Sequence, residues 1–316
     1  MKNPLPISCN ICPRNCGVNR YLETGFCGAG SELMLNLAAL HHGEEPPLSG
    51  KHGSGTIFLS WCNLRCVYCQ NYNISTKGWG KVISSEELIG LMLELQAQGA
   101  HNINFVTPTH YSPQLKELIP KAKQRGLVIP IVWNSSAYES VQTLQGLSGL
   151  VNIYLADYKY AHGVYAKKYS HASDYSTIAL AAIKEMFAQV GHLQVDADGI
   201  AQSGLIIRLL VLPNSLSGTK ASLHKIADML GSETYISLMG QYYPAGVAEE
   251  YPELNRGITE QEYNSALETA LSLGFTNIFT QELSCSDAWT PDFRENVQAE
   301  TGAAIEMLNP SGSKIL

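Results

Sequence analysis

From residue 55 to residue 280, short apolar runs alternate with amphipathic stretches, and this alternation narrows the architectures open to the chain. GTIFLS at 55–60, NINFV at 102–106, VIPIVW at 128–133 and VNIYLA at 151–156 read as strands. So do 205–212, 235–239 and 277–280. Apolar runs of this kind suit parallel strands covered on both faces. Between them, 84–99 opens with Ser84 and Glu87 at capping-box spacing and carries Leu88, Leu91, Met92 and Leu95 on one face. Further helices are expected at 114–125 (ended by Gly126), from 137, and at 175–190, 221–230 and 260–273, while 158–173 is left as a long connection. The expected fold is α/β: a partial (β/α)6 TIM-like barrel over residues 46–316, preceded by a small Cys-rich extension over residues 1–45. The stretch 41–55, with Pro46 and Pro47, is the seam between them. With 45% hydrophobic and 16% charged residues, 316 residues build a core without covalent staples. In such barrels ligands gather at the carboxyl ends of the strands.

Seven of the eight cysteines lie before residue 70, in two groups. Clustered thiols at short spacing read as metal ligands rather than as a disulfide framework. Cys9, Cys12, Cys16 and Cys27, in CNICPRNC and GFCG, suit either tetrahedral zinc or an additional iron–sulfur cluster. Cys62, Cys66 and Cys69, in WCNLRCVYCQN, are three thiols in a loop directly after a strand. A [4Fe–4S] cubane held by three cysteines keeps one iron open to a small molecule. The spacing Cys-x3-Cys-x2-Cys, with aromatic Tyr68 before the last cysteine, resembles the motif of the radical S-adenosylmethionine (SAM) superfamily. That resemblance implies that the open iron chelates SAM and that Tyr68 lies near its adenine.

The resemblance extends along the chain through NFVTPTHY, PIVWNSS, DYKY, LLVLPN and SLMGQYYP, in order to about residue 244. It is to a branch similar to pyruvate formate-lyase activating enzyme, and it implies a barrel of the radical SAM type. Where relatives carry a Gly-Gly-Glu-like segment for the SAM amino group, this chain has Thr107 and Thr109, which take the role by position. His110 beside them is a SAM contact, a substrate contact or a satisfied polar group. Asn134 and Ser135 suit the ribose hydroxyls or the methionine carboxylate, and are also ordinary helix caps. Asp157 and Lys159 resemble the Asp-x-Lys pair that faces SAM in glycyl-radical-activating enzymes. Arg208 lies inside an apolar strand and needs an anion, either the SAM carboxylate or a protein carboxylate such as Asp157 or Glu282. Gln241 matches a polar position near the ribose. Trp61 stands where relatives usually have glycine, and Cys285 is either a hydrogen-atom donor or a small buried side chain.

The implied activity is that of a radical SAM oxidoreductase. SAM is reductively cleaved at the [4Fe–4S] cluster to a 5′-deoxyadenosyl radical, which abstracts hydrogen from a protein or peptide, as in glycyl-radical activation. A small-molecule substrate, or a metal-binding scaffold without SAM chemistry, are the alternatives. No catalytic side chain is expected beyond the cluster and SAM site, and the implied electron donor is a flavodoxin or ferredoxin. With Lys+Arg 21 against Asp+Glu 28, no phosphate-binding surface and hence no nucleic-acid partner is expected. No apolar run approaches the ~18 residues of a membrane span and no signal-peptide core is present, so the expected location is cytoplasmic.

Overall fold

The computed structural model describes residues 5–281 together with Leu283, Pro291 and Phe293. Residues 5–32 form neither helix nor strand. The first half then runs β1 (Leu33–His41), α1 (Pro46–Ser49), β2 (Ser54–Leu59), α2 (Tyr72–Ser75), β3 (Lys81–Ile83), α3 (Ser85–Ala97), β4 (Ile103–Val106), α4 (Ser112–Gln124) and β5 (Ile131–Ser135). There follow α5 (Val141–Gln145), β6 (Ile153–Asp157), α6 (Gly163–Ser170), α7 (Tyr175–Val190), β7 (Gln194–Val195) and β8 (Ala201–Leu210). The last elements are α8 (Thr219–Leu230), β9 (Tyr235–Met239), α9 (Glu260–Ser272) and β10 (Ile278–Thr280).

The strands lie in the order β10-β9-β8-β6-β5-β4-β2-β1-β3, with β7 paired to β8 at one side. Every neighbour pair from β2 to β10 is parallel, whereas β1 is antiparallel to both β2 and β3. The sheet is therefore an open partial barrel of mixed direction. Its parallel part consists of the seven strands read from the sequence, one more than a (β/α)6 unit holds, and it carries an antiparallel flank. That flank includes β1, so residues 33–41, grouped with the extension on sequence, hydrogen-bond into the sheet.

The apolar strand sequences are explained by burial on two faces. Phe105, Trp133, Tyr154, Ile207 and Ile236 join the core beneath the helices, while Val132, Ile153, Leu155 and Ile206 form a second core inside the barrel. Leu48 of α1 belongs to that inner core and is fully buried. The stretch 41–55, read as a seam on sequence, thus packs as the floor of the barrel. Asn102 fastens it: its Nδ2 donates to the Leu48 carbonyl at 2.9 Å, and its Oδ1 accepts from Ser54 Oγ at 2.6 Å.

Local signals decide most element ends. Ser84 and Glu87 form the expected capping box at the start of α3. The helix expected from 137 shrinks to α5, because Ala137 adopts φ 56° and breaks the helical path. α6, unassigned on sequence, buries Ala166, Tyr169 and Ser170, a face too small and polar to print an apolar stripe. Among the described residues, no helix is long and apolar enough to cross a membrane.

Candidate active site

The cysteine loop leaves the carboxyl end of β2. Cys62 and Cys66 are buried, Cys69 is half-buried, and all three are free thiols. Each sulfur is met by a hydrogen-bond donor: Cys62 by the Leu64 N–H at 3.3 Å, Cys66 by Ser170 Oγ at 3.0 Å and Cys69 by Ser75 Oγ at 3.3 Å. Burial pushes the Cys66 thiol up to about 12, against the pull of Lys159. Burial likewise raises Cys69. A soft-donor trio already supplied with sulfur-directed donors fits an iron–sulfur cluster in its chemistry. Among the described residues, no group of three or more His, Cys, Asp or Glu side chains that could hold a single metal ion is gathered.

Trp61 precedes this loop at φ 75°, a left-handed conformation that favours glycine and costs a larger residue about 1–2 kcal/mol. Its indole is wedged between two glycines. A Cβ at Gly28 would fall 2.3 Å from the ring, and one at Gly78 would fall 2.2 Å from it. The ring does not line the cavity described next; it ties the 5–32 loop to the cysteine loop. Arg14 makes a second tie, donating to the carbonyls of Asn63 at 2.7 Å and Ser170 at 2.9 Å.

A cavity of about 730 Å³ joins the three thiols to the inside of the barrel. That lies within the range that holds a small ligand or cofactor. Above the apolar floor, the inward-facing positions turn polar at Asn104, Asn134, Asp157, Arg208 and Ser237. Asp157 is in register with Arg208, and Arg208 with Ser237. Arg208 donates through Nε to Asp157 at 2.7 Å, through Nη1 to Glu44 at 3.2 Å and through Nη2 to Asn134 Oδ1 at 2.5 Å. Lys159 Nζ donates to the second Asp157 oxygen at 2.6 Å. Burial alone would raise the Asp157 pKa, but Arg208 and Lys159 outweigh it and hold it below the usual carboxylate range. For Glu44 and Glu45 burial wins over Arg208, and both stand above that range.

Of the residues singled out on sequence, Tyr68, Thr107, Asn134, Ser135, Asp157, Lys159, Arg208 and Gln241 line this cavity with the three cysteines. Thr109 and His110 do not. Thr109 Oγ1 donates to Glu139 Oε1 at 2.7 Å, an oxygen that also accepts from Ser135 and Trp133. His110 is buried with Nε2 2.9 Å from the Ser60 carbonyl, and burial together with nearby Arg20 lowers its pKa to about 3, so the ring is neutral. The Arg208 anions are protein carboxylates, Asp157 and Glu44; Glu282 and Cys285 lie outside the described residues.

Three participants were missed on sequence. Glu44 and Glu45 reach the cavity from the floor, and GEEPP carries no motif beyond two acids before two prolines. Tyr175 braces the site from α7. Its hydroxyl lies 2.8 Å from the carbonyls of Ser136 and Asp157 and accepts from the Lys159 N–H at 2.9 Å, fixing two strand ends together.

Glu45 yields a direct stability prediction. A carboxyl whose folded pKa is raised contributes its stability fully below its unfolded value, near 4.3, and loses it as pH rises through the folded value. Glu45→Gln is therefore expected to raise the unfolding free energy at pH 7 by roughly 1–3 kcal/mol. The gain should fade below about pH 4. Urea unfolding at the two pH values measures it, and a variant less stable than the parent at pH 7 contradicts it.

The other four cysteines lie in the 5–32 loop. Cys9, Cys12 and Cys27 are buried and Cys16 is half-buried. A Cβ at Gly25 would lie 3.1 Å from Cys16 Sγ and 3.7 Å from Cys27 Sγ, so these sulfurs converge on one spot. Burial pushes Cys12 up to about 12 and also raises Cys9 and Cys27, with Arg20 opposing it at both of the latter. Arg20 is only 2% exposed, and its guanidinium donates to the Gly30 and His110 carbonyls. This buried cation lies close enough to Cys9 and Cys27 to favour their thiolate forms.

The radical SAM superfamily profile matches residues 56–187, a span that opens on β2 and closes in α7. The uncharacterized protein MJ0674 of Methanocaldococcus jannaschii is 32% identical over 274 residues, which cover 83% of this chain and 74% of that protein. A second protein of that organism, MJ0808, is 23% identical over 145 residues, 40% of this chain and 43% of its own. Among solved structures, the FeFe-hydrogenase maturase HydG from Carboxydothermus hydrogenoformans is similar in fold, with 15% identity and a TM-score of 0.50. The match covers 72% of this chain and 53% of the maturase, so the chain spans about half of that protein's length.

Proposed function

This chain belongs to the radical SAM superfamily, and we propose that it cleaves SAM reductively and abstracts a hydrogen atom from a polypeptide. The observation that carries the reading is the single cavity shared by Cys62, Cys66, Cys69 and the polar layer of Asn134, Asp157, Lys159 and Arg208. Cys62, Cys66 and Cys69 hold a [4Fe–4S] cluster. When bound, the cluster and SAM supply the electron and the 5′-deoxyadenosyl radical of the reaction.

The protein's own part is to bind, orient and exclude water. The hydroxyls of Ser170 and Ser75 favour the thiolate forms of Cys66 and Cys69, and the Leu64 N–H is directed at the Cys62 sulfur. Tyr68, buried beside Tyr160 and Tyr242, presents an apolar wall to the adenine. Thr107, Asn134 and Ser135, at the ends of β4 and β5, hold the polar groups of SAM. Lys159, kept charged by Asp157 despite burial, takes its carboxylate. The polypeptide as substrate rests on the resemblance of DYKY and the neighbouring motifs to activating enzymes. The cysteines of the 5–32 loop hold a structural metal. A flavodoxin or ferredoxin supplies the electron, and the location is cytoplasmic.

The test is anaerobic incubation of the iron- and sulfide-reconstituted chain with SAM and dithionite, then with candidate polypeptides. Formation of 5′-deoxyadenosine and methionine, with a mass or radical change in one polypeptide, is expected. A [4Fe–4S] spectrum without SAM cleavage would make the protein a metal-binding scaffold instead.

A further inference from the structure

Glu45 has no task in the chemistry above, yet it lines the cavity from the floor. Its side chain is buried, with the residue 8% exposed, and Oε2 has no hydrogen-bond partner. The surrounding charges do not balance. Three carboxylates, Glu44, Glu45 and Asp157, face two cations, Arg208 and Lys159. Lys159 is held by Asp157, while Nε and both terminal nitrogens of Arg208 are engaged by Asp157, Glu44 and Asn134. With all three ionised, Glu45 shares Arg208 with two other carboxylates, and the buried layer carries one more negative charge than it has cations, which is costly. A second acceptor, Asn104 Oδ1, is also buried and unpartnered. Asn104 reaches the same layer through its Nδ2, which donates to Glu44 at 2.8 Å.

Reading the cavity as a substrate chamber, as above, we propose that Glu45 is the recognition point for a protonated primary amine of the substrate. A guanidinium would need two carboxylate oxygens side by side, whereas Glu45 offers one free oxygen, which suits an ammonium. The direction of approach separates this amine from the SAM end. His41, at the close of β1, pairs with Ser54 at the start of β2, and the floor that follows carries Glu45 inward from that side. The cysteine loop leaves the opposite end of β2. An amine seated on Glu45 therefore points the rest of its molecule toward the thiols, and the charge serves as a handle remote from the reacting carbon. A lysine side chain and a free alkylamine offer the same chemistry.

The test is calorimetric titration of the reconstituted full chain with n-pentylamine, with pentan-1-ol and with an N-acetylated, C-amidated Gly-Lys-Gly peptide. Saturable binding of at least one amine, none of the alcohol, and a loss of at least about tenfold in Glu45→Gln are expected. Binding of the peptide alone identifies a polypeptide source, and binding of pentylamine alone a small molecule. Absence of amine binding in the parent, or affinities within threefold in Glu45→Gln, overturns the assignment. So does a variant that weakens SAM but neither S-adenosylhomocysteine nor the amine, since Glu45 would then serve the sulfonium. Should the variant not fold, a crystal structure of the parent with n-pentylamine decides, by whether the nitrogen lies against Glu45 or elsewhere. Failure of the radical SAM reading has a separate signature: no 5′-deoxyadenosine from the parent, whatever the amine does.

Discussion

Cys66→Ala is expected to lower 5′-deoxyadenosine formation by more than about a thousandfold, a barrier increase of over ~4 kcal/mol. Cys66 is the most strongly committed of the three thiols. It is buried, it accepts from Ser170, and Ser170 is in turn 2.7 Å from the Tyr160 hydroxyl. Alanine removes one of three soft donors, and the remaining neighbours, Lys159, Ser170 and the Cys62 and Cys69 thiols, offer no fourth sulfur to replace it. The Ser170 hydroxyl loses its sulfur partner but keeps the Tyr160 hydroxyl, so the change falls on the cluster site more than on the fold. The measurements are chromatography of the nucleoside products under anaerobic conditions and iron and sulfide content per chain. Bound iron should fall together with turnover. Full turnover with full iron in Cys66→Ala would show that the cluster is held elsewhere.

Arg208→Met is expected to cost about 3–5 kcal/mol of stability at neutral pH, the range for removing one partner of a buried ion pair. Methionine fills much of the space but leaves Asp157 with Lys159 alone and Glu44 with neutral amides. The pH dependence has a defined sign. Asp157 is held below its unfolded value near 3.9, so the stability it contributes is present above that value and is lost as pH falls through the folded value. Parent and variant should therefore converge as pH falls below about 4. Adding Asp157→Asn to Arg208→Met should cost less than the sum of the two single changes, because the two side chains share one interaction. Urea unfolding of the four proteins tests this, and a loss below about 1 kcal/mol for Arg208→Met would contradict a buried pair.

What was legible in the sequence follows the range of the forces involved. The cysteine motif, the capping box at Ser84 and the apolar strands are local patterns, and helix 175–190 has its expected bounds. Asp157, Lys159 and Asn134 were reachable because a strand end is a position that can be counted along the chain. The need of Arg208 for an anion was legible from energetics, but its partners were not: Asp157 is 51 residues away and Glu44 is 164 residues away. No local pattern marks a carboxylate delivered by an antiparallel flank and a floor segment. His110 and Thr109 illustrate the converse. They follow a strand end, yet the turn through Thr107, at φ 55°, precedes a short helical turn in which both are buried among Ser60, Arg20 and Glu139.

The floor also bears on how the chain is made. Leu48 and Glu44 leave the ribosome early, but the residues that enclose them, Ile206 and Arg208, belong to β8. At ~5–20 residues per second, the 164-residue interval between Glu44 and Arg208 takes roughly 8–30 s to synthesise. Throughout that time the nascent barrel has a base and no guanidinium to neutralise it, and its interior stays open to water. β8 to β10 therefore act as the closing step of assembly, and a ribosome stalled before β8 would hold a half-barrel whose inner surface is still exposed.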